Sequence, residues 1–109
     1  MKIKKFLLIL MLSFLLNSQT SFADEAKMSK GLEIFNEVAG CAACHVLKAA
    51  GSEGNIGPNL DTVEGLNYDS VMDIVTHGLG VMPAFGEDEI LTKEEIDIVS
   101  FYVANSVSK

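Results

Sequence analysis

The sequence has no arginine, and its only cationic side chains apart from histidine are eight lysines, against fifteen aspartates and glutamates. Proteins bind nucleic acid by placing clustered cationic side chains on phosphates, which a chain with a formal charge of −7 is poorly suited to do. We therefore expect no nucleic-acid partner. The chain also lacks an apolar run of the roughly 20 residues that a transmembrane helix needs, so we expect no stable membrane anchor.

The N-terminal segment has the layout of an export leader. Three lysines within the first five residues precede the apolar run Phe6–Leu16, and Ser21 and Ala23 place small residues at the −3 and −1 positions of a cleavage site. We predict that residues 1–23 are a cleavable signal peptide and that residues 24–109 form one domain in a bacterial periplasm. This domain keeps five lysines against fifteen acidic residues, a charge of −10 that favours partners with a basic patch.

Helical periodicity dominates the predicted domain. Apolar residues recur at three- and four-residue steps over Ala26–Ala39, which predicts an amphipathic helix. A second helix is expected over Tyr68–His77, and a third begins after Thr92, which can form a capping box with Glu95. No segment shows the alternation that is typical of a strand. The predicted fold class is therefore all-α, with three or four short helices joined by ordered loops.

The loops of this domain are long for its size. Glycines and prolines interrupt residues 51–58 and 80–86, so neither stretch is expected to form a regular element. A domain of 86 residues buries a modest core and is marginal on side chains alone. Both features are explained if the loops wrap a large, flat, apolar cofactor.

Cys41, Cys44 and His45 form the one cluster with obvious chemistry, in the order Cys-Ala-Ala-Cys-His. Two thiols at this spacing can each add to a haem vinyl group, and the adjacent imidazole can then ligate the iron. The pattern predicts one covalent haem c. Three alternatives remain open from the residues: a thioredoxin-type dithiol, a structural zinc site with His77 as a fourth ligand, and a structural disulfide.

The sixth iron ligand has four candidates, which are Met28, Met72, Met82 and His77. Met82 is preferred because it lies in a loop between glycines and directly before a proline, whereas Met28 and Met72 fall within predicted helices and suit core packing. A thioether ligand favours ferrous iron and raises the reduction potential. His77 is interpreted as a helix cap or surface residue because Gly78 follows it.

Several segments together resemble the class I monohaem c-type cytochromes, over essentially the whole predicted domain. The segments that carry this resemblance are Gly31 and Phe35, Cys41 to His45, Gly57-Pro58-Asn59-Leu60, Met82-Pro83-Ala84-Phe85, and Tyr102. The resemblance implies a small cytochrome c fold of helices and loops wrapped around one covalent haem. It also implies that Gly31 and Phe35 in the first helix pack against Tyr102 in the last.

The resemblance also implies roles around the haem. The Pro58 carbonyl would accept a hydrogen bond from the His45 imidazole, and Leu60 would line the pocket. The haem-binding residues are thus expected to be Cys41, Cys44, His45, Pro58, Leu60 and Met82, with His45 and Met82 on the iron. Asn67 and Tyr68 are candidates for contact with a haem propionate.

The function expected from these residues is one-electron transfer between redox proteins in the periplasm, without catalysis by the protein itself. The expected partners are a donor dehydrogenase and an acceptor oxidase or second cytochrome. One alternative is a dedicated cytochrome subunit of a periplasmic dehydrogenase, such as a sulfite or alcohol dehydrogenase. Another is a haem with an open coordination position, which would bind carbon monoxide readily when reduced.

Overall fold

A computed structural model describes residues 22–107. Nearly all of the predicted signal peptide, together with residues 108–109, lies outside the described residues. Helix α1 occupies residues 22–33 and continues into a π-helical turn, Ile34–Val38. The later elements are the 3-10 turn Cys41–Ala43, strand β1 (Val46–Leu47), the 3-10 turn Lys48–Ala50, strand β2 (Ser52–Glu53), helix α2 (Tyr68–His77) and helix α3 (Lys93–Ser106).

Local capping determines where α2 begins. The Asn67 side chain accepts a hydrogen bond from the Ser70 amide at 3.0 Å, and the Ser70 hydroxyl accepts one from the Asn67 amide at 3.0 Å. This reciprocal pair satisfies two amides that the first turn leaves without helical partners. The helix ends at Gly78, whose φ of +75° is unfavourable for residues with a side chain. The predicted helix over Tyr68–His77 is confirmed.

Helix α3 has the capping box that the sequence predicts. Thr92 Oγ1 accepts from the Glu95 amide and Glu95 Oε1 accepts from the Thr92 amide, both at 3.1 Å. Ile96, Val99 and Val103 are buried along one face, with at most 4% exposed. This apolar face, rather than helix propensity, is the main stabilisation of so short a helix, because isolated helices of this length are marginal in water.

Helices α1 and α3 cross where the resemblance places the crossing. A Cβ atom on Gly31 would lie 2.3 Å from Cβ of Tyr102, so only glycine allows this approach. The rings of Phe35 and Tyr102 are 6.0 Å apart between centroids at an interplanar angle of 57°, which is a favourable tilted contact. The predicted contact of Gly31 and Phe35 with Tyr102 is confirmed.

A polar cluster also connects the three helices. Lys27 in α1 forms an ion pair with Asp97 in α3 at 3.0 Å, and its ammonium group lies 4.7 Å from the centroid of the Phe101 ring. The Tyr68 hydroxyl at the start of α2 donates to the same carboxylate at 2.5 Å. These hydrogen bonds hold the pKa of Asp97 below its ordinary value and raise the pKa of Tyr68.

The small hairpin after His45 differs from the expectation of no strands. β1 and β2 pair antiparallel, with Leu47 opposite Ser52, and each strand has only two residues. Two residues are too few to show an alternating pattern, which is why the sequence gives no signal. Apart from this hairpin, the architecture is the predicted helical one, and no helix among the described residues is both long and apolar enough to cross a membrane.

Candidate functional site

A cavity of about 470 Å³ lies where the helices and loops meet. Four parts of the chain line it: the segment that follows α1, the loop that follows the hairpin, helix α2 with the loop after it, and the inner face of α3. Almost all of the lining side chains are apolar. A cavity of this size and character in so small a domain is suited to a large, flat, apolar ligand.

The Cys41 to His45 segment forms one compact turn on the wall of this cavity. Gly40 has φ +70°, a left-handed conformation that turns the chain out of the π-helical segment. The amides of Cys44 and His45 both donate to the Cys41 carbonyl, at 3.1 and 3.0 Å. Cys41, Cys44 and His45 all contribute to the cavity lining. The local turn therefore brings the three predicted haem-attachment residues to one cavity.

The His45 ring is held by a main-chain oxygen. Its Nδ1 atom lies 2.7 Å from the Pro58 carbonyl oxygen. A carbonyl oxygen only accepts hydrogen bonds, so Nδ1 carries the proton and the lone pair of the neutral ring is on Nε2. This is the tautomer that a metal-binding imidazole needs, and the carbonyl partner fixes the orientation of the ring.

Gly57 leaves the space that the His45 ring occupies. A Cβ atom at residue 57 would lie 2.5 Å from Cε1 and 2.8 Å from Nδ1 of that ring. Two further main-chain hydrogen bonds join the same segments, from the Gly57 amide to the Cys44 carbonyl at 2.7 Å and from the Leu60 amide to the Val46 carbonyl at 3.0 Å. Leu60 itself lines the cavity. The loop over residues 57–60 is thus fastened to both sides of His45.

Met82 reaches the cavity from a tight turn. The amides and carbonyls of Leu79 and Met82 bond reciprocally, at 3.0 and 3.3 Å, around Gly80, which has φ +58°. A Cβ atom on Gly78 would lie 2.7 Å from the Met82 carbonyl oxygen, so the glycine allows the turn to fold back on the end of α2. The Phe85 amide then donates to a carbonyl of α2 at 2.9 Å, which closes the loop.

The other three candidates for the sixth iron ligand lie outside the cavity lining. Met28 and Met72 pack against the core and do not line the cavity, whereas Met82 does. His77 is on the surface, where Nδ1 lies 2.5 Å from a carboxylate oxygen of Glu87 and Nε2 lies 3.7 Å from one of Asp73. The hydrogen bond to Glu87 raises the pKa of His77. The interpretation of His77 as a surface residue is confirmed.

The Cys41 thiol does not have the character of a redox-active cysteine. Cys41 and Cys44 are both free thiols, and burial raises the pKa of Cys41 to about 11. A thioredoxin-type cysteine needs the opposite shift, because its thiolate is the reactive species. Within residues 22–107, no group of three or more histidine, cysteine, aspartate or glutamate side chains is arranged to hold a metal ion, and this leaves the zinc alternative without a ligand set.

The residues present fit a haem. Two free thiols lie in the lining beside an imidazole whose Nε2 is available, the rest of the cavity is apolar, and a thioether side chain is present in the same lining. Neither candidate propionate contact lines the cavity, because Asn67 caps α2 and the Tyr68 hydroxyl is bonded to Asp97. The hydrogen bond between Tyr68 and Asp97 in α3 could not be predicted from the residues around position 68, because the two residues are 29 positions apart in the chain.

Sequence reasoning missed four apolar residues that line the cavity and are also exposed. Exposed fractions are 70% for Ile56, 70% for Leu79, 90% for Val81 and 37% for Val63. We call these four residues the apolar rim. Ile56, Leu79 and Val81 lie in segments with a signal that sequence alone could have used, since residues 54–60 and 78–86 contain no charged residue in an otherwise acidic chain. Val63 has no such signal, because Asp61 and Glu64 flank it.

Comparisons with known proteins identify the family to which this chain belongs. The family model described as cytochrome c oxidase, cbb3-type, subunit III matches residues 26–103. The crystal structure of the c-type cytochrome SorU from Sinorhizobium meliloti is 44% identical, has a TM-score of 0.71, and the match covers 78% of this chain and 95% of that one. A search of curated proteins gives no significant match. The chain belongs to the c-type cytochrome family, as a monohaem member whose cofactor is covalently bound haem c.

Proposed function

We propose that this protein is a periplasmic one-electron carrier in which haem c is bound through Cys41 and Cys44 and its iron is ligated by His45 and Met82. The observation that carries the proposal is the composition of the cavity lining, which combines the two thiols, an imidazole with a free Nε2 and a single methionine in otherwise apolar surroundings. Membership of the c-type cytochrome family supports electron transfer as the role of that site.

The haem supplies the redox chemistry, and the chain's own residues control its surroundings. His45 is oriented by the Pro58 carbonyl, which increases the electron donation of the imidazole. The turn of Leu79 to Met82 presents a thioether, a ligand type that favours ferrous iron. The apolar lining excludes water and so disfavours the oxidation state in which the haem has the greater net charge.

The apolar rim is the place where we expect electrons to enter and leave. Its residues are exposed and border the cavity, so a partner that contacts them comes close to the haem edge. Redox encounters use small interfaces, and the charge of −10 of residues 24–109 favours partners with basic surfaces. We propose a donor dehydrogenase and an acceptor oxidase or second cytochrome as these partners, reached after cleavage of residues 1–23 as a signal peptide.

Spectroscopy of exported protein tests the cofactor and both ligands. The chain should be expressed into a periplasm together with the cytochrome c maturation machinery, and spectra should be recorded with and without pyridine. We expect a covalent haemochrome, a weak far-red band from sulfur bound to ferric iron, and slow binding of carbon monoxide to the reduced protein. A folded, colourless protein of bare polypeptide mass contradicts the proposal.

Substitutions assign the sulfur ligand. Met82→His should abolish the far-red band and lower the reduction potential, because imidazole stabilises ferric iron more than a thioether does. Met72→Leu is the matched control, since Met72 packs against the core outside the cavity lining. Loss of the band in the Met72 variant and its survival in the Met82 variant would reverse the assignment. Rapid carbon monoxide binding by the unmodified protein would instead indicate an open coordination position.

A second candidate function is that of a cytochrome subunit in a larger oxidoreductase. The description of the matched family as an oxidase subunit favours this alternative, and a periplasmic dehydrogenase is the other enzyme class that it would suit. Purification from the native source at low concentration separates the two functions. A stable complex with a catalytic subunit supports the second candidate, whereas a monomer that several donors reduce supports the carrier.

A further inference from the structure

Ser52 contacts the peptide groups next to His45, and the proposed function does not yet use it. The residue is buried, with 8% exposed. Its hydroxyl accepts a hydrogen bond from the Leu47 amide at 2.9 Å and donates one to the His45 carbonyl at 2.8 Å. The Leu47 carbonyl is farther away at 3.4 Å, so the one hydroxyl hydrogen points mainly to His45. One side chain thus fixes the main chain on both sides of Val46.

The hairpin brings Ser52 to this position. β1 follows His45 directly, the chain turns through Lys48–Ala50, and Gly51 at φ +67° allows β2 to return. Leu47 and Ser52 are then paired across the two strands. The hairpin is short, but its register places a hydroxyl group against the carbonyl of the predicted iron ligand.

His45 is consequently held from two directions. The 57–60 loop fixes the ring through Pro58 and is itself fastened to the Cys44 and Val46 carbonyls. Ser52 fixes the main chain that carries the ring. Without its hydroxyl, two polar main-chain groups in a buried region lose their partner, and the backbone must shift to find others. Such a shift changes the distance between Nδ1 of His45 and the Pro58 carbonyl.

We propose that Ser52 is a positioning residue for His45, which keeps the hydrogen bond between Nδ1 and Pro58 short and thereby sets the electron donation of the imidazole to the haem iron. The proposal rests on the function proposed above, in which His45 ligates that iron. A weaker hydrogen bond makes the imidazole a poorer donor and stabilises ferric iron less. Loss of the Ser52 hydroxyl should therefore make reduction more favourable.

The test compares Ser52→Ala, Ser52→Thr and Ser100→Ala as holoproteins. Ser100 is the matched control because it is completely buried and its hydroxyl has no hydrogen-bond partner among the described residues. For Ser52→Ala we expect the equilibrium constant for one-electron reduction to rise about threefold, which is about 28 mV at 59 mV per tenfold. The NMR signal of the His45 Nδ1 proton should move to lower chemical shift. The control and the threonine variant, which keeps a hydroxyl, should match the unmodified protein in both measurements.

The outcomes separate this proposal from the one on which it rests. Pyridine haemochrome spectra come first, and absence of covalent haem from the unmodified protein refutes the proposed function. If haem is attached but Ser52→Ala has the same potential and His45 signal as Ser100→Ala, the role of Ser52 is refuted while the carrier function stands. A threonine variant that shifts as much as the alanine variant also refutes it.

A second measurement applies if Ser52→Ala does not fold. In the unmodified holoprotein, the Leu47 amide hydrogen should exchange with solvent at least a hundredfold more slowly than the amide of an exposed loop residue such as Asn55, because Ser52 holds it in a buried hydrogen bond. Exchange of the Leu47 amide at the rate of the loop amide would show that Ser52 does not hold this strand, and would overturn the proposal.

Discussion

Substitution of Gly57 by alanine tests the geometry around His45 most directly. The added Cβ atom would lie 2.5 Å from Cε1, 2.8 Å from Nδ1 and 3.0 Å from Nε2 of the imidazole. Ordinary carbon contacts are about 3.5–4.0 Å, so either the ring or the 57–60 loop has to move by roughly 1 Å. His45 directly follows Cys44 in the chain, and the Gly57 and Leu60 amides hold the loop in place by hydrogen bonds. Movement of either the ring or the loop therefore costs free energy.

The cost can be estimated from two contributions. Overpacking of a well-packed site costs about 1–3 kcal/mol, and weakening the 2.7 Å hydrogen bond between His45 and Pro58 adds about 0.5–1.5 kcal/mol. The free energy of unfolding of the holoprotein should therefore fall by about 1.5–4.5 kcal/mol. For a domain of this size, each 1 kcal/mol lowers Tm by about 4–8 °C, so we expect a decrease of at least about 6 °C.

Thermal unfolding followed by circular dichroism, with absorption spectra of the axial ligands, is the assay. Gly65→Ala is the control: Gly65 has φ +72°, and no heavy atom of residues 22–107 lies within 4 Å of an added Cβ. That variant should lose about 1–2 kcal/mol from its left-handed backbone but keep the spectrum of the unmodified protein. Should Gly57→Ala retain both the unmodified Tm and the unmodified ligand spectrum, the argument that residue 57 must be glycine to admit the imidazole is refuted.

Three further predictions concern surfaces and helix contacts. Gly31→Val should lower the free energy of unfolding by about 2–3 kcal/mol in urea titrations, because its Cβ would lie 2.3 Å from that of Tyr102; equal stability would contradict the close helix crossing. Glu87→Gln should lower the pKa of His77 measured by NMR, since the carboxylate raises it, and an unchanged pKa would mean that the ion pair is absent in solution. Asp97→Asn should cost about 0.2–1 kcal/mol at pH 7. Because the folded pKa of that carboxyl is lowered, the difference should disappear as the pH falls through this pKa, and a constant difference in acid would contradict the assignment.

The helices could be predicted because their signals are local. The start of α2 depends on Asn67 and Ser70, and that of α3 on Thr92 and Glu95, so each boundary is determined by residues three positions apart. The hairpin of β1 and β2 could not be predicted, because its two-residue strands show no period and the hydrogen bonds of Ser52 are made to main-chain atoms, which carry no sequence signal.

Only part of the candidate haem site could be predicted from the sequence. Cys41, Cys44 and His45 lie within five consecutive residues, so their spacing alone identifies them as a candidate haem-attachment motif. The contact between His45 and Pro58 spans 13 residues and was expected only from the resemblance to c-type cytochromes. Sequence periodicity does not predict the apolar rim, because Ile56 and Val81 lie in loops that have neither a helical nor a strand pattern. Their role depends on the cavity that distant segments enclose.

The apolar cavity has a consequence for how this protein survives in a cell. A ligand that binds reversibly stabilises a fold only in proportion to its free concentration, and dilution removes the benefit. Thioether bonds through the Cys-x-x-Cys-His turn would abolish that dependence, since a tethered porphyrin cannot diffuse away. The supply of haem would then act once, during biogenesis, by deciding how many chains acquire a complete interior. After that, the lifetime of each molecule would no longer depend on how much haem its surroundings hold.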